Sequence, residues 1–313
     1  MARVVGWVNV VLTAVVLAAG VAAALALAGG QVPQLDVFSH FAPFYVATGF
    51  LGAVWVGVAG RGPIVAASVL AVMAGGAQML PELRRDAGPV AAAGAPGQIK
   101  VIQFNADRRN GDLVRVADWL RAQDADVVTV TEARHDLRDL LVRRDGWKVA
   151  GGAGDLMIFT RQRYLRMTRP KPPLPLDANF VNATYGHPAG PMEIVTGHVS
   201  WPTDPKVPHQ IGALEFVTAA RPRGRMVFTG DLNATPWSWD LRRLDRSLGL
   251  TRRNRAVATW PARVLGQPWP LPVLPIDHVY AGPGWATVRV ERGPHLGSDH
   301  YPLIVTLAPV APR

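Results

Sequence analysis

The sequence predicts an α/β (α+β) domain of mixed strands and helices, preceded by three transmembrane helices. Two observations lead there. The first 80 residues carry almost no charge, whereas from residue 99 onward strand-length apolar runs alternate with segments of helical period.

Residues 5–28, VGWVNVVLTAVVLAAGVAAALALA, contain no charged side chain over 24 positions. At about 1.5 Å per residue such a helix crosses a hydrocarbon core of ~30 Å. Arg3 before the run and Ala-Leu-Ala at 26–28 resemble a signal peptide. The apolar core of a signal peptide, however, runs to only about 7–15 residues. Two more apolar runs follow at 42–60 and 64–80, split by Arg61-Gly62-Pro63, a turn suited to a helical hairpin. Three spans put Arg3 and Arg61 on one side and Arg84 and Arg85 on the other, so the positive charges nearly balance. The first loop lacks Lys and Arg, and a long domain translocates largely regardless of flanking charge. Both points place the C-terminal portion on the outer face of the membrane.

Residues 81–98, rich in Pro, Gly and Ala without amphipathic period, read as a linker between a 1–80 membrane domain and a 99–313 soluble domain. In that domain IKVIQF (99–104), DVVTVT (126–131), DLMIFT (155–160), MEIVTGHVS (192–200) and RMVFTG (225–230) read as buried strands. Late strands are expected near IDHVYAG, ATVRVER and PLIVTL. Helices are expected at 112–123, where Leu113, Val116, Ala117 and Leu120 share a face, around 135–144, at 210–220 and from Trp239.

A formal charge of +10, mostly arginine, favours anionic partners such as phosphates, nucleic acid or acidic lipid. With no cysteine, disulfides, thiolate metal sites and a Cys nucleophile are excluded. Nothing in the sequence implies an obligate protein partner.

Polar groups recur where the apolar strands end: Asn105, Glu132, His198, Asp231 with Asn233, Asp277 with His278, and Asp299 with His300. Strand ends on one edge of an α/β core are common places for a site. If the backbone stays extended, Asp231 and Asn233 point the same way. Carboxylates and amides are hard oxygen ligands suited to Mg²⁺ or Mn²⁺, and histidine trades protons near neutral pH.

Taken in order, VIQFNAD, ADVVTVTE, VTGHVSWP, FTGDLNATPWS, PIDHVY and GSDHYPL resemble the endonuclease/exonuclease/phosphatase superfamily over residues 99–308. NATPWS and the three preceding spans resemble its bacterial membrane-anchored branch. The resemblance implies a four-layer sandwich of two mixed β-sheets flanked by helices, and a divalent-metal-dependent phosphoesterase. It implies Glu132 as principal metal ligand, with Asn105 and Asp299 beside the ion. Asp231 and Asn233 would orient the attacking water and hold phosphate oxygens. His300 would be the catalytic histidine, oriented by Asp277, and His198 would contact the phosphate or assist the leaving group. Either Asp231 or the Asp277–His300 pair could take the proton from water. His278 stands where the family often has an apolar or aromatic residue and is left out of catalysis.

Three positions depart from the family pattern: Thr131 precedes the motif Glu, Tyr301 follows Ser-Asp-His, and Thr-Gly-His replaces Asn-Thr-His. They bear on substrate contacts. Arg108, Arg109, Trp201 and Trp237 are candidate substrate-binding residues, for nucleic acid or a phospholipid head group beside membrane lipid. A non-catalytic, membrane-anchored binding or scaffold protein on a hydrolase fold is the alternative function.

Overall fold

The uncharged N-terminal stretch folds as helices and the β-branched runs after it assemble into two sheets, in a computed structural model that describes residues 2–59, 62–151, 155–168 and 170–310. The chain divides into two units: Met1–Arg85 with Thr235–Arg242, and Asp86–Ala234 with Arg243–Arg313.

The first unit contains α1 (Ala2–Leu27), α2 (Asp36–Ser39), α3 (Ala42–Ala59) and α4 (Gly62–Arg84). Small side chains face inward, Ala23, Ala71 and Ala74 packing with Tyr45, whereas Trp7, Val11, Phe50, Leu51, Val54 and Met73 point outward. Such an arrangement suits apolar surroundings, where close helix approach and not water exclusion supplies the packing. Gly49 shows how close: a Cβ there would lie 2.7 Å from Ser68 O and Val72 Cγ2 of α4.

Trp7–Gly30 and Ile64–Arg84 are long and apolar enough to cross a membrane, and Pro33–Ser39 with Ala42–Trp55 is a third candidate, bent by 56°. The turn expected at 61–63 lies partly outside the described residues. Helix α4 continues through Pro81 to Arg84, past the expected end at residue 80. Pro81 sits in its last turn, where Glu82 accepts Arg85 Nε at 2.8 Å.

In the second unit, one sheet runs in spatial order β13 (Trp285–Arg292), β14 (Leu303–Pro309), β1 (Ile99–Asn105), β2 (Val127–Thr131), β4 (Met157–Thr160) and β3 (Lys148–Gly151). The other runs β5 (Arg166–Met167), β6 (Asn179–Tyr185), β7 (Met192–His198), β8 (Met226–Asp231), β12 (Asp277–Ala281) and β9 (Thr251–Arg252). A two-stranded ribbon joins β10 (Arg263–Val264) to β11 (Gln267–Pro268). Both large sheets are mixed: β1–β2 and β7–β8 are parallel, while β1–β14 and β8–β12 are antiparallel. From the expected linker, Val90 bridges to Thr287 of β13.

Strand alternation divides the core. Val101, Val127, Ile158, Ile194, Val227, Val279 and Val305 fill the space between the sheets. Ile102, Phe104, Val128 and Phe159 point to the other side, where α5 (Leu113–Ala122) and α6 (His135–Asp139) cover them with Val116, Leu120 and Leu137. Ile211, Leu214 and Val217 of α7 (Val207–Ala219) are buried as well, Leu214 beside Gly197 of β7. A last helix, α8 (Trp239–Ser247), follows β8.

Candidate active site

The side chains between the sheets change character along the strands. Along β1 they read Ile99, Val101, Gln103, Asn105, and along β8 Val227, Thr229, Asp231. Apolar pairs come first. A polar layer follows, in which Thr229 Oγ1 donates to Thr129 Oγ1 at 2.9 Å and Thr129 donates to Gln103 Oε1 at 2.7 Å. Asn105, Asp231, His198 and Asp277 then end their strands. Register places His198 opposite Asp231 across β7–β8, and Asp277 opposite Asp231 across β8–β12.

Asp231 Oδ2 is the point of convergence. Asn105 Nδ2 donates to it at 2.9 Å and to Glu132 Oε1 at 3.1 Å, so one amide ties the two acids. His198 Nε2 and His300 Nε2 stand 3.7 and 3.6 Å from the same oxygen. His300 Nδ1 lies 2.8 Å from Asp277 Oδ2, which also accepts Thr259 Oγ1 at 2.6 Å. Ser298 Oγ donates to Asn105 O at 2.7 Å and accepts His300 N–H at 3.0 Å, fixing the Ser-Asp-His turn against β1.

Asp231 and Asn233 do share a side, but not through an extended backbone. The chain turns at Asn233 (φ 47°), whose N–H caps Asp231 Oδ1 at 3.0 Å while Nδ2 donates to Val199 O at 2.9 Å. Glu132 is also left-handed, at φ 52°. Non-glycine residues in that region are uncommon, and such strain collects at functional sites.

These groups open on a cleft of about 290 Å³ lined by Asn105, Glu132, His198, Trp201, Asp204, Asp231, Asn233, Asp299 and His300. Burial raises the pKa of Asp231, helped by the neighbouring Asp277 charge and opposed by His300, His198 and the Asn105 amide. Burial works against a charged His300, but Asp277 and Asp231 outweigh it and lift the imidazole to about 10.

The donor set fits a hard divalent cation. Glu132 and Asp299 bring carboxylates to a cleft that Asp231 borders. Ligand atoms of Asp231, Asp277 and His300 also fall within 4.8 Å of one another, although His300 and Asp277 engage each other there. Asn105 Oδ1 accepts the Asp107 N–H at 3.0 Å, so the Asn105 amide meets the carboxylates as a donor.

The substrate-binding candidates scatter. Trp201 lies on the cleft wall, 51% exposed, its ring edge-on to Trp260 at 5.4 Å. Arg108 lines a neighbouring depression and pairs with Asp155. Arg109 points to solvent beside Asp107. Trp237 is buried in the helical unit, its indole N–H on His40 O. Sequence reading missed Thr259, Ser298 and Asp155. Ser298 stands inside the Gly-Ser-Asp-His motif, whereas the other two carry no local signal.

A family model described as "Endonuclease/Exonuclease/phosphatase family" matches residues 102–300. No curated protein matches the chain. Among solved structures, an endonuclease/exonuclease/phosphatase from Bacteroides vulgatus has a TM-score of 0.56 at 17% identity, covering 68% of this chain and 99% of that one. The Bacteroides thetaiotaomicron mannosyl-6-phosphatase Bt3783 gives 0.54 at 14%, covering 67% and 99%. D. rerio TDP2, complexed with single strand DNA product, gives 0.52 at 16%, covering 67% and 99%. At these identities the likeness is one of fold.

Proposed function

Because the chain belongs to the endonuclease/exonuclease/phosphatase family, we propose that it is a membrane-anchored phosphoesterase that hydrolyses phosphodiester bonds by direct attack of water. One observation carries this reading: a single cleft collects two acids for a cation, an Asp-x-Asn turn and two histidines around one carboxylate oxygen. A scaffold without chemistry has no need of that convergence.

Mg²⁺ or Mn²⁺ on Glu132 and Asp299 would supply Lewis-acid polarisation of a phosphate oxygen. The remaining steps belong to the side chains. Asp231 takes a proton as the water oxygen bonds to phosphorus, since its Oδ2 borders the cleft and Asn105 fixes its orientation. Asn233 Nδ2 has one hydrogen on Val199 O and a second for a phosphate oxygen, where negative charge develops. His300, held by Asp277, donates through Nε2 beside Asp231. His198 gives a proton to the departing oxygen as the phosphorus–oxygen bond breaks, and regains one from solvent before the next turnover, as Asp231 releases the one it took from water.

For the substrate, two chemistries compete: nucleic acid, in line with the single strand DNA product bound by TDP2, and a phospholipid head group, in line with apolar helices in the same chain. We place the helices in a bacterial inner membrane with the catalytic unit outside. A panel of plasmid DNA, RNA, phospholipid vesicles and bis(p-nitrophenyl) phosphate, assayed with Mn²⁺ and with EDTA, tests the reading. Hydrolysis of none of them, or equal hydrolysis in chelator, overturns it.

A further inference from the structure

The stretch just after the Asp-x-Asn turn takes no part in the chemistry above, yet the helical unit is shaped around it. Residues 235–242 belong to that unit. The Trp239 indole lies over two glycines: a Cβ on Gly29 would meet its Cδ1 at 2.7 Å, and one on Gly30 would meet its Cε3 at 2.9 Å. Trp239 Nε1 donates to Ala26 O at 2.9 Å. Asp36, itself buried, takes the N–H groups of Trp239 and Asp240 on its two carboxylate oxygens at 2.9 and 3.0 Å, which satisfies the first turn of α8. His40 accepts the Thr235 N–H on Nδ1 at 3.3 Å, and its carbonyl accepts Trp237 Nε1 at 2.9 Å.

One residue upstream, Ala234 O accepts His278 Nε2 at 2.7 Å. Thr235 thus follows directly on a carbonyl held within the sheet unit, and Asn233 precedes it. A left-handed non-glycine residue persists only where its surroundings over-determine it, and these bonds fix the chain immediately after Asn233.

We infer that Asp36, His40 and the Gly29–Gly30 cradle are positioning elements, which clamp residues 235–240 and thereby hold the turn bearing Asp231 and Asn233. The catalytic consequence rests on the phosphoesterase reading; the clamp itself does not.

The test uses the full-length protein in detergent micelles, with Asp36→Ala, Trp239→Ala and the conservative Trp239→Phe. Trp55→Phe serves as control, since it removes a bond to Asn9 (2.8 Å) and trims packing against Val16, Ile64 and Ala67 elsewhere in the helical unit. Hydrogen exchange of the amides at 232–240 is read beside kcat and KM for bis(p-nitrophenyl) phosphate with Mn²⁺. Both alanine variants should raise exchange at 232–235 and lower kcat about tenfold, with KM within about twofold. Trp239→Phe should recover most of both, and Trp55→Phe should match wild type. Unchanged exchange in both alanine variants overturns the clamp. Raised exchange with wild-type kcat overturns its positioning role. An inactive wild type sinks the phosphoesterase reading, while the exchange measurements still decide the clamp.

Discussion

His300 Nδ1 lies 2.8 Å from Asp277 Oδ2, and both side chains are buried. The carboxylate orients the ring, so that Nε2 faces Asp231. Asp277→Asn keeps the volume but removes the negative charge that aligns the imidazole. It should lower kcat about a hundredfold or more with KM near wild type. Steady-state kinetics on bis(p-nitrophenyl) phosphate check this, and a kcat within about threefold of wild type contradicts it.

Metal dependence can be read at Glu132. EDTA should abolish hydrolysis, and Mg²⁺ or Mn²⁺ should restore it. Glu132→Gln should raise the Mn²⁺ concentration for half-maximal rate about tenfold to a hundredfold. An unshifted metal titration removes Glu132 from the cation site.

Asp155 predicts a pH effect on stability. Burial works against its charge, but hydrogen bonds from Arg108 and Asn179 hold its carboxyl below the usual range. The unfolded chain, with a pKa of about 3.9, therefore takes up the proton more readily. Its stabilisation is complete above about pH 4 and is lost as pH falls through the lower folded value. Thermal melts should show Asp155→Asn less stable than wild type at pH 7, with the gap closing as the pH is lowered below the unfolded-state value. Equal melting at pH 7 refutes this.

Trp201 and Trp237 should separate. Trp201→Ala removes a half-exposed ring from the cleft wall and should raise KM for aromatic phosphodiesters about tenfold, with kcat little changed. Trp237→Ala should act on melting temperature, because that side chain is buried in the helical unit. Reversed effects contradict the placement.

The strands were legible because Val-Val-Thr-Val-Thr and Met-Val-Phe-Thr-Gly need burial on both faces, and they have it in β2 and β8. Asn105, Glu132, Asp231 and Asn233 were legible because each closes or follows an apolar run, His198 because it interrupts one, and Asp299 and His300 because they precede one; all of them line one cleft. The left-handed turns at Glu132 and Asn233 were not, since local sequence does not encode that strain. Thr259 reaches Asp277 only through the fold, eighteen positions away in sequence, by a single hydroxyl. Trp237 read as a substrate contact because its motif neighbours are site residues, but its partner His40 lies 197 positions upstream. The end of α4 at Arg84 was hidden by Pro81, which reads as a helix stop yet lies inside the helix.

Hydrolysis of bis(p-nitrophenyl) phosphate by full-length Asp231→Ala with Mn²⁺, beside its circular dichroism, probes the convergence on one carboxylate most directly. The expected result is a wild-type spectrum with a rate lower by about a hundredfold to a thousandfold. A rate within about tenfold of wild type would contradict a role for Asp231 at the reacting centre.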